Sequence, residues 1–435
     1  MTVRFDEAWA QCLQVLCSEK ADILESADSG KRVLVRDLMG RIHLALERVP
    51  TGEPFDALLS ELKEAAGAFW SGRVLDGREM VAPEAVFQSV DAVEAAPGIW
   101  AVERLVTGAD WGRGLLPTRS LQTPRAVLYG LKGGVGRSTA LSVWAWHLAK
   151  LGRRVLVVDL DLESPGVSSL LLPSGASSDF GIVDWFVEDA VGNADRDLVR
   201  LMVAPSPISQ GVSGKVLVAP CGGSIGSDYL SKLSRVYIDL PVEGGLRKFG
   251  ERMSEMLDRL VEEHTPDIVL LDSRAGLHDL AAIATTRLGA MTFLFAAGTE
   301  QTWSGYRILL KSWAKRPSVA IDVRDRLRVV ASQIPETGRD IYLERLIQSA
   351  YDLFADTLYE EAGPESPDAF NFDIPSTDAP HYPLKINWAR ALQDWEPTSG
   401  TVSYEELRAA YGDFLDGATE LLLSGGADSG ENDIA

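Results

Sequence analysis

Cysteine, histidine, long apolar runs and positive charge are all in short supply in this chain of 435 residues. The three cysteines, Cys12, Cys17 and Cys221, have neither metal-ligand spacing nor the density of a disulfide framework. Cys12 and Cys17 share an expected helix and read as small core or surface residues, and the five scattered histidines form no metal cluster. No apolar run is long enough to span a bilayer, and the opening MTVRFDEAWAQ has no signal-peptide core, so a cytoplasmic protein is expected. Lysine and arginine number 42 against 63 acids, a net charge of −21. That balance opposes nonspecific DNA binding, which depends on neutralising phosphates, although Arg324, Arg326 and Arg328 make a candidate basic patch. The ending SGGADSGENDIA is acidic where a membrane-targeting helix would be basic and amphipathic, so no membrane partner is expected.

What is present is an ordinary globular balance, 46% apolar and 24% charged, in a chain long enough for two domains. Its most informative stretch is LYGLKGGVGRST, Leu128 to Thr139. A short apolar run, Ala126 to Tyr129, stops at a glycine-rich turn that opens an amphipathic segment, Ala140 to Leu151. This is the layout of a strand, a phosphate loop and a helix. Gly133, Gly134 and Gly136 allow positive φ angles that turn backbone amides inward, and with Val135 they form a nest at a helix N-terminus suited to phosphate oxygens. Arg137 falls where such loops carry lysine: it keeps the charge and can pair with phosphate in bidentate fashion, but is planar and longer. Ser138 is placed to ligate Mg²⁺ through its hydroxyl, and Thr139 to hydrogen-bond a nearer phosphate.

Two further apolar runs end in acids. VLVVDLDLESPG carries Asp159 and Asp161 at alternate positions, which places both on one side of a strand. DIVLLDSRAGLHD, Asp267 to Asp279, leads to Asp272 and then Gly276. Parallel strands deliver their C-terminal ends to the ligand crevice, so these acids are expected beside the phosphates.

With Lys132 directly before the paired glycines, KGGVGRST resembles the deviant Walker A loop of the ParA/MinD family of ATPases. The resemblance runs from about Arg125 to about Arg390, and is nearer to a bacterial subset with KGGxGR loops and DLESPG or DSRxG motifs. It implies ATP and Mg²⁺ as cofactors, and a homodimer formed on ATP binding in which Lys132 reaches the partner's phosphates. It further implies that Asp161 orients or activates the attacking water, that Asp159 lies near the metal, and that Asp272 holds Mg²⁺ through a water. By the same resemblance the Gly276 amide senses the terminal phosphate. MTFLFAAGTEQTWSGYRIL, Met291 to Leu309, resembles the family's next strand and helix, and RLRVVASQIPE, Arg326 to Glu336, the strand that supplies a residue to adenine. Ser332 and Gln333 are the candidates there, and FDIPSTDAP, Phe372 to Pro380, resembles the proline-bearing loop that closes the base pocket.

The expected fold is α/β: a doubly wound, mainly parallel sheet in a phosphate-loop domain over 119–420, followed by a flexible acidic tail, 421–435. Residues 1–118 are expected to form a small, mostly helical module for partner docking or regulation. Phe5, Trp9, Cys12 and Leu16 recur at helical spacing, as do Phe55, Leu58, Leu59 and Leu62. A third helix is expected between Leu38 and Leu46, with Gly72 to Arg78 as a loop. The region 180–264 is a second place where a protein partner could be read. The functional expectation is an ATP-dependent dimerisation switch with weak Mg-dependent hydrolysis. A DNA- or cargo-partition ATPase, or the ATPase subunit of a bacterial phage-defence system, remains open.

Overall fold

A computed structural model describes residues 2–424 apart from 27, 90, 117–122, 174–175, 225–227, 244, 362–368, 393–394 and 398–400. The expected tail therefore lies mostly outside the described residues, its first four positions forming the end of a helix, Tyr404–Ser424. The chain divides into two compact units, Met1–Gly112 and Arg113–Ala435.

The first unit is built on a five-stranded sheet: β1 (Arg32–Arg36), β2 (Ile42–Leu46), β3 (Trp70–Asp76), β4 (Val93–Ala96) and β5 (Ile99–Glu103), in spatial order β3-β2-β1-β5-β4. It is thus mixed α/β rather than mostly helical. The two amphipathic segments do form helices, Phe5–Leu16 and Glu53–Ala66, and their stripes bury Cys12, Leu16, Leu58 and Leu62 against Leu34, Leu44 and Leu46 of the sheet. The helix expected between Leu38 and Leu46 is instead a turn and the strand β2. Asp37 accepts the Met39 and Arg41 amides, both at 2.9 Å, and Gly40 takes φ +81°, so the chain reverses before a helix can start. After the turn Ile42, Leu44 and Leu46 alternate into the helix-covered core, a period of two that the helical reading overlooked. The loop expected over Gly72 to Arg78 is largely β3, a partly exposed edge strand with few apolar residues to announce it.

The second unit holds β6 (Arg125–Tyr129), β7 (Arg154–Asp159), β8 (Ala204–Pro205), β9 (Lys215–Ala219), a small hairpin β10 (Leu240–Val242) and β11 (Gly245–Arg247), then β12 (Ile268–Asp272), β13 (Met291–Ala296), β14 (Leu327–Ile334) and β15 (Leu384–Asn387). Its eight-stranded sheet runs β15-β14-β13-β6-β12-β7-β9-β8. Every pairing is parallel except that of the edge strand β8. The runs RAVLY, VLVVD and IVLLD are buried on both faces, as parallel strands covered by helices must be. One face packs Trp144, Phe293, Phe295 and Phe414, the other Trp185, Phe186, Met256 and Leu260. The helix Arg137–Lys150 is buried nearly all round, between the sheet and Tyr404–Ser424, and Trp144 Nε1 donates to Thr419 across that contact at 3.0 Å. Chain order reverses on either side of β6, so the loop after β6 opens at the switch point where α/β sheets bind ligands.

Candidate functional site

Three neighbouring strands bring the three acids together. β12 pairs with β7 so that Asp272 stands opposite Asp159, and with β6 so that Asp272 stands opposite Leu128, next to the glycine loop. Leu160 N donates to Asp272 O at 2.8 Å, tying the two acid-bearing ends to each other. Gly134 and Gly136 take φ +74° and +81°, and a Cβ on Gly133, Gly134 or Gly136 would meet nothing within 4 Å. The loop thus has open space at its glycines, next to the first turn of Arg137–Lys150, where a helix N-terminus favours an anion. Lys132 and Val135 are half-buried in this loop, and Thr139 is half-buried in the first helical turn.

The Ser138 hydroxyl donates to Asp272 Oδ2 at 2.7 Å. Asp159 is fully buried and has both oxygens engaged: Oδ2 accepts from Ser168 N (3.0 Å) and Ser168 Oγ (2.5 Å), Oδ1 from Asp161 N (3.2 Å). Among the described residues Asp161 Oδ1 and Asp272 Oδ1, by contrast, are buried without a partner. Burial, with the Asp159 charge beside it, pushes Asp272 up to about 7. Asp159 is raised by burial, and Asp161 by burial and then Asp159, with Arg137 and Arg274 opposing. A site that leaves buried carboxylate oxygens unpaired and penalises their charge suits a cation, because a divalent ion would satisfy both. Ser138 and Asp272 are the residues that fit Mg²⁺, while Asp159 braces the Asp161 backbone and Ser168. Gly166 keeps the space open, since a Cβ there would come within 3.3 Å of Ser138 Oγ and 3.8 Å of Asp272 Oδ2.

Arg137 is buried and donates through Nη1 to Ser273 O at 2.5 Å, so its guanidinium lies beneath the loop against the end of β12. Gly276, at φ +87°, has its amide engaged: N–H donates to Gly130 O at 3.0 Å. Gln333 sits at an irregularity of β14 with φ +55°, a conformation rare for glutamine, and its Nε2 donates to Gly134 O at 2.8 Å. It ties the end of β14 to the phosphate loop. Ser332 is buried and donates to Ala296 O at 3.3 Å.

Two expectations are corrected. Phe372 to Pro380 lies at the opposite end of the sheet from the phosphate loop: Val329 N, near the start of β14, donates to Pro380 O, and buried Arg328 donates to the carbonyls of Thr377, Asp378 and Ala379. Since β15 runs parallel to β14, the segment that emerges beside Gln333 is the one after β15, where Trp388, 41% exposed, donates its amide to Ile334 O at 2.9 Å. A tryptophan just past a short strand was the available signal. The candidate basic patch does not stand free either: Arg326 donates to the Ala290 and Asp322 carbonyls, and Arg324 pairs with Glu360. No described helix is long and apolar enough to cross a membrane.

Sheet order, glycine loop and acid cluster together define a phosphate-loop α/β domain. The family model for the cellulose biosynthesis protein BcsQ matches residues 124–165, the stretch from β6 through the DLDLE run. No curated protein matches the chain. Among solved structures it is similar to MinD of Pyrococcus horikoshii complexed with Mg-ADP, at 16% identity and TM-score 0.39, over 72% of this chain and 100% of that one. It is also similar to MinD of Aquifex aeolicus, at 16% identity and TM-score 0.42, over 69% and 97%. A plasmid partition protein of Borrelia burgdorferi gives 15% identity and TM-score 0.40, over 68% and 99%.

Proposed function

We propose that this chain is a ParA/MinD-like ATPase that works as an ATP-dependent dimerisation switch with weak Mg-dependent hydrolysis, reporting its nucleotide state to a protein partner. The observation that carries the reading is the Ser138–Asp272 pair, with one buried oxygen of Asp272 and one of Asp161 left without a partner among the described residues, beside a glycine loop preceded by Lys132. In this reading the amides of residues 133–139 and Arg137 bind the phosphates, and Gln333 and Trp388 flank the base. Ser138 and Asp272 hold Mg²⁺, which when bound neutralises phosphate charge. Asp161, whose carboxylate lies within reach of the Arg137 charge, holds the attacking water and takes its proton. Lys132 acts on the partner's nucleotide. With Arg326 and Arg328 spent on carbonyls and a net charge of −21, nucleic acid is the less favoured partner.

Light scattering on the purified chain, alone, with Mg-ADP and with Mg-ATP, tests this. A dimer that appears with Mg-ATP alone, and not in Lys132→Ala, is the expected result. A mass indifferent to nucleotide, with none bound, removes the proposal.

A further inference from the structure

Beside the acid cluster lies a second charged group that the phosphate site does not use. Glu163 stands two residues beyond Asp161, and Arg274 two beyond Asp272, and the two side chains pair at 2.7 Å, joining the acid loops to each other. On its other side Glu163 accepts the Tyr237 hydroxyl and lies 3.7 Å from His278 Nε2. The adjacent Leu162 carbonyl accepts the Tyr229 hydroxyl at 2.6 Å. The Arg274 side chain is 36% exposed. Its charge acts on the Asp161 carboxylate, as that of Arg137 does. The Gly276 amide, to which the family resemblance assigns the reading of the terminal phosphate, is already given to Gly130 O. The same loop offers one guanidinium, and among the described residues it is paired with a carboxylate that solvent partly reaches.

We propose that Arg274 is a ligand for the terminal phosphate of ATP, held in reserve by Glu163, so that ATP but not ADP exchanges the Arg274–Glu163 pair for an Arg274–phosphate pair. This rests on the ATP reading above. A phosphate arriving next to Asp161 and Glu163 adds like charge to a crevice already crowded with carboxylates. Arg274 can answer it by rotating its side chain, since a guanidinium pairs with phosphate as well as with carboxylate. The exchange leaves Glu163 to Tyr237 and His278. Tyr237 follows the helix Tyr229–Val236 and precedes the β10–β11 hairpin, so the nucleotide state reaches this excursion through one carboxylate.

Calorimetric titration of the full chain with Mg-ADP and with the slowly hydrolysed analogue Mg-ATPγS tests it, using wild type, Arg274→Ala and Glu163→Gln. Arg274→Ala is expected to weaken Mg-ATPγS about tenfold, one charge-assisted bond, and to leave Mg-ADP within about twofold. Glu163→Gln, nearly isosteric, is expected to tighten Mg-ATPγS by about threefold with Mg-ADP unchanged, because the competing carboxylate is gone. Retained Mg-ADP binding shows that each variant is folded. Equal effects on the two nucleotides, or no effect on either, overturn the inference while the ATP reading stands. A wild type that binds neither nucleotide ends both.

Discussion

At the scale of single residues the site depends on how closely a few atoms can crowd. Gly166 has φ −122°, which alanine tolerates, so its role is space rather than backbone freedom. Gly166→Ala would place a methyl 3.3 Å from Ser138 Oγ, where a metal bound by that hydroxyl needs room. It is expected to lower Mg-nucleotide affinity about tenfold in calorimetry, with little change in thermal stability. The acids set a pH dependence. Asp272 ionises at about 7 in the folded chain against 3.8 unexposed to the fold, and Asp159 and Asp161 shift in the same direction. The folded state therefore binds more protons than the unfolded one between these values. The stability these groups contribute is complete below 3.8 and is lost as pH rises through about 7. Thermal melts in EDTA should fall in midpoint across that window, and saturating Mg-ATP should flatten the fall; a midpoint that rises through it would contradict the acid-cluster account. Ser138, Asp159, Asp161 and Asp272 were legible in the sequence because each sits at or next to the end of a strand or the start of a helix. Gly166 could be quoted in a motif, but its closeness to Ser138 comes from the packing of two separate loops.

At the scale of elements, signals within a few residues were reliable where a period was long and clean, and misleading where it was short. The stretch Leu38 to Leu46 satisfies a helical count, yet the Asp37 turn reverses it into β2. The loop Phe372 to Pro380 has the right composition for a base pocket and lies at the other end of β14, because Arg328 anchors it there. Such an arginine is an element-organising residue that no motif marks. Arg252 is another: fully buried on Phe249–His264, it donates to Asp189 Oδ2 at 2.7 Å, Phe186 O at 2.5 Å and Ile238 O at 2.9 Å. Arg252→Leu removes the cation and strands these acceptors, and is expected to cost roughly 3 kcal/mol in urea unfolding, since Arg247 still pairs with Asp189. A loss below about 1 kcal/mol would mean that water replaces it freely.

At the scale of the whole molecule, the chain is two units, each with apolar residues packed on both faces of its sheet. The first unit buries one set of apolar residues between helices and sheet and a second, with Val33, Val35, Phe87 and Val102, on the sheet's other face. A unit with its own core should fold alone, so residues 1–112 are expected to unfold cooperatively as an isolated fragment in urea monitored by circular dichroism. A non-cooperative, molten profile would show that its core needs the second unit. The acidity of the molecule is likewise a global property: counted along the chain, arginines 324, 326 and 328 suggest a basic face, but Arg326 and Arg328 are spent on backbone carbonyls and Arg324 on Glu360. Charge counted by residue type does not reveal which charges reach the surface.

Local chemistry along the chain was sufficient for the phosphate loop, the acid-tipped strands and the parallel α/β architecture, because a glycine nest, a helix start and a doubly buried strand each show in a handful of consecutive residues. Tertiary structure alone decided which face of the first unit is sheet, that Phe372 to Pro380 is remote and Trp388 near, and that Glu163 and Arg274 meet. Those outcomes follow from strand order and from contacts between residues about fifty or more positions apart, and neither leaves a periodic trace in the order of the amino acids.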